Sequence, residues 1–88
     1  MGEVLIKYRV MPEGPEVDLE KLQGALRAAM PGFASLQSCN AVPFAFGMKA
    51  LETTVVVEDE EGNSDKLEDV VRGVQGVQGV ELVEMGRL

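Results

Sequence analysis

Histidine is absent from this sequence of 88 residues, and cysteine occurs only once, at Cys39. Without histidine, the chain lacks the side chain that most often acts as a general base near neutral pH and that most often binds transition metals. A single cysteine permits neither an internal disulfide nor a site of four thiolates for zinc or an iron–sulfur cluster. We therefore expect a protein without covalent catalysis, without a metal site and without a cofactor.

Basic residues are also scarce, with 8 Lys and Arg against 15 Asp and Glu, which gives a net charge of -7. Such an acidic chain repels phosphate backbones, so we expect no direct contact with nucleic acid and a basic protein surface as the partner. No run of about 18 apolar residues and no cleavable leader pattern occurs. We expect a single domain over residues 1–88 that is cytoplasmic and monomeric when free.

Apolar residues alternate with polar ones in two segments, residues 4–11 and 51–58, and this period of two predicts half-buried strands. The second segment has the clearer pattern and should be central in a sheet. Residues 35–41 alternate weakly and precede Pro43, so they predict a short edge strand. A last strand is predicted over residues 80–85.

Two helices are predicted between these strands. The first runs over residues 18–30, with Asp18 as its cap and Pro31 and Gly32 after its end. The second begins after a polar turn at residues 59–63, with Ser64 as its cap, and is followed by chain-breaking glycines at 73, 76 and 79. The order βαββαβ predicts an α+β, ferredoxin-like sandwich with two helices on one face of a four-stranded antiparallel sheet.

Two short motifs have a structural interpretation that we prefer to a functional one. The glycines of Gly73–Gly79 follow a helix, whereas glycines that hold phosphate precede one, so they indicate a helix end and a loop. The acidic run of residues 58–65 lacks a first ligand for a calcium loop, because Val57 stands there. A solvated turn is the better interpretation.

The connection predicted between the second and third strands is unusual because it is apolar. It contains Phe44, Phe46 and Met48 where a hairpin would normally have Asn, Asp or Gly. Exposed aromatic residues mark interaction sites, so this segment predicts a partner-binding surface. The final strand runs directly into Arg87 and Leu88, and we expect these residues near the sheet end that bears the apolar connection.

The sequence resembles the translation elongation factor 1-beta family in its short archaeal form, over essentially the whole chain. The resemblance is carried by the first strand up to Val10-Met11-Pro12-Glu13, by Pro43–Leu51, by Val55–Asp59 and by the closing Arg87-Leu88. The most specific element is Phe46-Gly47 with the strand that follows it. The N-terminal extensions of eukaryotic members have no counterpart here, which is consistent with a stand-alone exchange domain.

The resemblance implies a guanine-nucleotide exchange factor that acts on the GTPase elongation factor 1-alpha and has the fold predicted above. It implies a partner-binding set made up of Phe44, Phe46, Gly47, Met48, Lys49, Arg87 and Leu88. In eukaryotic members a Lys beside the terminal Leu enters the magnesium site of the GTPase, and the Phe of the matching loop packs into the GTPase. By position these roles fall on Arg87 and Phe46, and Arg in place of Lys is a departure from the family pattern.

Three other functions on the same fold match the sequence less well. A small-ligand sensor would need a glycine-rich turn after the first strand, and Gly14 between two prolines matches this weakly. A phosphate-ester or acyl-phosphate hydrolase would need an Arg in residues 11–17, which contain none. An RNA-binding sheet would need paired surface aromatics and a basic surface.

Overall fold

The computed structural model describes residues 2–45 and 47–87. The elements follow the predicted order of strand, helix, strand, strand, helix and strand. Their bounds are β1 Glu3–Pro12, α1 Leu19–Ala29, β2 Ala34–Ala45, β3 Met48–Glu58, α2 Asn63–Arg72 and β4 Val77–Arg87.

The four strands form one antiparallel sheet in the order β2-β3-β1-β4. β3 is central and β2 lies at an edge, as the strong and weak alternation of the two segments predicted. With both helices on one face, this is the ferredoxin-like arrangement. The predicted fold class is therefore confirmed.

The core lies between the helices and the face of the sheet that they cover. In β1, the buried side chains of Ile6, Tyr8 and Val10 alternate with half-buried Lys7 and Arg9. This alternation follows from the pleat, which points successive side chains to opposite faces. The remaining strands and the helices complete the core with Leu36, Leu51, Val55, Val57, Val77, Val80, Leu22, Leu26, Leu67 and Val71.

Helix α1 begins as the sequence predicted. Asp18 is its N-cap, and one of its carboxylate oxygens accepts from the backbone N–H of Glu20 at 3.0 Å and of Lys21 at 3.4 Å. These bonds satisfy two of the donors that a helix start leaves without partners. The helix ends at Ala29, immediately before Met30 and the predicted stop at Pro31.

The predicted cap of α2 is wrong. The helix begins at Asn63, one residue before Ser64, and its N-cap is Gly62 in the left-handed region at φ 85° with no side-chain bond. Asn63 is buried, and its side-chain amide donates to the carbonyl oxygen of Glu58 at 3.0 Å. This tie to the end of β3 orders the turn, so the helix starts where the turn places it.

Strand β4 is longer than predicted, because it begins at Val77 and includes Gly79. Gly79 pairs with Met11 of β1, beside a register shift. Ladder pairing with a central strand therefore overrides the tendency of glycine to interrupt a strand.

Candidate partner-binding surface

The predicted apolar connection is a tight hairpin rather than a long loop. β2 continues through Pro43 to Ala45, and β3 begins at Met48, so most of residues 42–49 are paired strand. Gly47 lies in the turn at φ 79°, a conformation that glycine adopts without the cost that a Cβ would bring. Phe46, the predicted anchor, lies outside the described residues. The prediction of a loop was wrong because the ladder extends nearly to the turn.

The hairpin tip lies beside the loop that joins β1 to α1. Of the predicted partner-binding residues, Met48 is half-buried and Lys49 is exposed. Phe44 is the unpaired extra residue of β2 at the point where the register with β3 shifts. A shallow groove separates the hairpin from the loop. It is lined by Pro12, Gly14, Pro15, Val17, Leu19, Gly47 and Lys49.

The other predicted element, Arg87, lies at the opposite end of the sheet. Arg87 pairs with Val4 near the start of β1, whereas the hairpin extends beyond the pairing of Val10 with Leu51. The expectation that both features share one sheet end is therefore wrong. β4 is antiparallel to β1, so its last residues return to the end where β1 begins. Leu88 lies outside the described residues.

The distance between the two features follows from the strand register. About ten strand positions separate Gly47 from the pair of Val4 and Arg87, and at about 3.3 Å each they span about 33 Å. The longest dimension of the molecule is 41 Å. The predicted residues thus form two clusters at the two ends of the long axis, and they do not meet in one pocket.

A groove at the same sheet end as Arg87 has an apolar base and an acidic rim. It is lined by Val4, Ile6, Val57, Glu58, Asp59, Glu60, Ser64 and Met85. Arg87 itself is exposed and forms no ion pair with any residue that the structure describes. Its guanidinium is therefore available to a partner, beside three acidic residues that disfavour an anionic ligand.

The face of the sheet opposite the helices carries Arg9, which the sequence predicted on the solvated side of β1. Its guanidinium lies 3.7 Å from a carboxylate oxygen of Glu52 and 3.6 Å from one of Glu81, its register partners on both sides. These half-exposed pairs add little stability, but they neutralise the cation. This face therefore offers no basic stripe to a phosphate backbone.

Tyr8 is an ionisable group whose pKa its surroundings shift strongly. Its hydroxyl lies under the start of α2, 3.5 Å from the carbonyl oxygen of Ser64. Burial, together with the nearby carboxylates of Glu68 and Asp65, raises the pKa of this phenol to about 12. Tyr8 thus stays neutral at physiological pH and serves packing.

The described residues contain no group of three potential metal ligands. Cys39 is half-buried, and its sulfur lies 3.6 Å from the hydroxyl oxygen of Thr53, which agrees with its predicted packing role. No helix in the described part of the chain is long and apolar enough to span a membrane.

Sequence reasoning missed one exposed feature, formed by Leu82, Val83 and Met85 on β4. The buried side chains of β4 all lie in its first half, so the apolar residues of its second half are exposed. The signal was present in the sequence, because apolar residues occupy both alternating positions of residues 82–85. Only the sheet order shows that this strand is an edge.

The fold and these surfaces define a small acidic α+β domain whose distinctive groups are exposed apolar and charged side chains. The family model of the EF-1 guanine nucleotide exchange domain matches residues 5–88. The chain belongs to this family.

Curated relatives agree with that assignment. The chain is 43% identical to elongation factor 1-beta of Natronomonas pharaonis over 88 residues, which cover 100% of both chains. It is 44% identical to elongation factor 1-beta of Methanoregula boonei over 85 residues, which cover 97% of this chain and 96% of the relative. For the protein of the same name from Methanothermobacter thermautotrophicus, the identity is 39% over 88 residues, covering 100% and 99%.

Proposed function

We propose that this protein promotes GDP release and GTP reloading on elongation factor 1-alpha during protein synthesis. The observation that carries this proposal is the match of the exchange-domain family over residues 5–88. The protein would act by binding the GTPase and disturbing its magnesium and phosphate site, with no covalent step of its own. The absence of His from the chain is consistent with that role.

Thermodynamic linkage explains how binding alone weakens the affinity of the GTPase for GDP. A protein that binds the nucleotide-free GTPase more tightly than the GDP-bound form must weaken GDP by the same factor. Magnesium bridges the GTPase and the phosphates, so a competing positive charge near that site lowers nucleotide affinity. Such a regulator needs a binding surface and a well-placed cation, and it needs no nucleotide pocket.

The hairpin is the proposed apolar anchor of the complex. Phe46 would insert into the GTPase, and Phe44, Gly47, Met48 and Lys49 would form the surface around it. The tight turn at Gly47 supports this proposal, because two paired strands present the tip with little freedom to lose on binding. The exposed ammonium of Lys49 would interact with acidic groups of the partner.

Arg87 and Leu88 are proposed to act at the GTPase magnesium site. The exposed position of Arg87 at the end of an edge strand supports this role, since the strand holds the backbone while the side chain reaches outward. Arg carries its charge on a planar fork, whereas Lys carries a compact point charge. We therefore propose that Arg87 competes with magnesium through its charge.

For the hairpin and Arg87 to act together, one partner must contact both ends of the molecule. The register places them about 33 Å apart, so the footprint on the GTPase must be at least that long. A contact of this length along a small domain is compatible with a specific interface of about 800 Å² on each side.

Release of a fluorescent GDP analogue from the cognate elongation factor 1-alpha tests the function. We expect a stoichiometric amount of the protein to accelerate release, and an unchanged rate would refute the proposal. Phe46→Ala should weaken the complex by about 2 kcal/mol or more if Phe46 is an anchor, whereas Phe46→Leu should retain most of the affinity.

The role of Arg87 needs a separate readout. Removal of Arg87 and Leu88 should slow exchange more than it weakens binding, and Arg87→Ala should reduce the sensitivity of exchange to magnesium concentration. Arg27→Ala is the matched control, because Arg27 is an exposed arginine in the last turn of α1. Equal magnesium dependence of the Arg87→Ala and Arg27→Ala variants would show that Arg87 does not compete with the ion.

A further inference from the structure

The second half of β4 carries a row of exposed large apolar side chains. The exposed fractions are 52% for Leu82, 41% for Val83 and 50% for Met85. Within residues 2–43 and 47–87, every exposed large hydrophobic side chain belongs to this one strand. We name these three residues the β4 apolar strip.

Two contacts show where α2 lies on the sheet. At the start of the helix, the hydroxyl of Tyr8 in β1 donates to the carbonyl oxygen of Ser64. At its end, the guanidinium of Arg72 donates to the carbonyl oxygen of Val80 in β4 at 3.3 Å. Val80 is buried, whereas Leu82, Val83 and Met85 beyond it are exposed.

Leu82 and Met85 lie on the side of the sheet that the helices occupy. Leu82 is the register partner of Tyr8, and Met85 is the partner of Ile6, and both of these β1 residues are buried core. Directly opposed residues of antiparallel strands point to the same face. The strip thus continues the apolar core outward to the margin of the domain.

β4 is an edge strand, with β1 as its one neighbour in the sheet that the structure describes. The opposite edge, β2, is blunted by a polar row of Ser35, Gln37, Ser38 and Asn40 and by Pro43. β4 contains no proline and no lysine, but Glu81, Glu84 and the register shift beside Leu82 limit pairing of its outer backbone with another chain. Its exposed apolar side chains, rather than its backbone edge, therefore offer the surface for another chain.

We propose that the β4 apolar strip is a third contact surface for the same GTPase, and that it takes an apolar segment with a basic flank. This inference rests on the proposed function. It is supported by continuity, because Met85 lies two residues before Arg87 and also lines the groove at that sheet end. The acidic residues Glu58, Asp59 and Glu60 form the rim of that groove and fit a basic segment.

A second copy of this chain is a poorer occupant. Each copy carries a net charge of -7, so two copies repel each other. Pairing of two β4 edges would also bring Glu81 and Glu84 of both copies together. Three half-exposed side chains supply far less than the roughly 800 Å² that each partner contributes to a stable interface. The GTPase provides that area because its contact continues to Arg87 and along the long axis.

The test is a titration of the nucleotide-free GTPase with the Leu82→Ser/Met85→Ser variant, together with the release assay. We expect the dissociation constant to rise about tenfold or more. Val70→Ser is the control, since Val70 is a half-buried apolar residue on α2 that is not part of the strip. Thermal unfolding shows whether the double variant is folded, and Met85→Gln, which keeps the size of the side chain, replaces it if it is not.

The possible outcomes separate this inference from the proposed function. If the wild-type protein neither binds the GTPase nor accelerates GDP release, the function and the inference both fail. If the wild type is active and the strip variants bind as tightly as the Val70→Ser control, only the inference fails. If sedimentation shows a wild-type dimer that the strip variants abolish, the occupant is a second copy and the inference is overturned.

Discussion

Tyr8 permits a sharp prediction about the pH dependence of stability. It is the only tyrosine of the chain, tryptophan is absent, and the residue is 3% exposed. Burial, with Glu68 and Asp65 nearby, raises its pKa to about 12 from 10.0. The native state therefore holds the phenol proton in a pH range where the unfolded chain releases it.

The sign and size of the effect follow from linkage. Below pH 10 the phenol is protonated in both states, and its contribution to stability is fully present. Between pH 10 and about 12 the unfolded state binds fewer protons, so the free energy of unfolding falls as pH rises. A shift of about two units corresponds to a total loss of about 3 kcal/mol, of which about 2 kcal/mol falls between pH 10 and 12.

Tyr8→Phe isolates this effect because the two proteins differ only in the phenol hydroxyl. At pH 7 the variant should lose about 1 kcal/mol or less, since the bond to Ser64 is long at 3.5 Å. In urea unfolding at several pH values, the stability of the variant relative to the wild type should rise by about 2 kcal/mol between pH 9 and pH 12.

Tyrosinate absorbance provides an independent check, since it reports Tyr8 alone in this chain. It should appear in the folded protein only well above pH 10. Two results together would refute the reasoning from burial. Tyr8 would ionise near pH 10 in the folded protein, and the difference in the free energy of unfolding between the wild type and Tyr8→Phe would not change with pH.

Three further predictions concern single residues. Leu67→Ala should lower the free energy of unfolding by about 2–5 kcal/mol in urea titrations, because the side chain is fully buried. A loss below about 1 kcal/mol would mean that the core collapses around the gap. Asp18→Ala should cost about 1 kcal/mol by the same measurement and Asp18→Ser much less, because a serine hydroxyl can still cap α1; equal losses would show that the cap bonds are not responsible. Gly47→Ala should cost about 1 kcal/mol of stability and weaken GTPase binding, because Gly47 has a φ of 79°, where a Cβ is strained. Unchanged stability and affinity would contradict this strain. Gly24→Ala, within α1, is the control for Gly47→Ala and should be neutral or slightly stabilising.

The local patterns of the sequence determined the elements. Alternation in residues 4–11 and 51–58 predicted the two central strands, because one face of each strand is buried and the other is not. Asp18 and Pro31 predicted the ends of α1 within a residue or two, because capping depends on adjacent residues only. Composition alone indicated an acidic surface and predicted the absence of nucleophilic and metal chemistry.

Tertiary pairing decided how far the strands extend. β2 and β4 are longer than their own patterns predict, because hydrogen bonds to β3 and β1 hold Pro43, Ala45 and Gly79 in the ladder. Asn63 shifted the start of α2 by bonding the end of β3, an interaction that the capping pattern at Ser64 could not reveal. In each case a contact with a neighbouring element outweighed a local preference.

The arrangement of the candidate site was beyond the sequence altogether. The chain itself determined which residues are distinctive, namely the apolar segment around Phe46 and the terminal Arg87. Only the antiparallel register of β4 on β1 placed Arg87 at the far end from the hairpin, and only the tertiary structure shows that Leu82 and Met85 are exposed. Residue types are a local property, whereas distance and exposure depend on contacts between elements far apart in the chain.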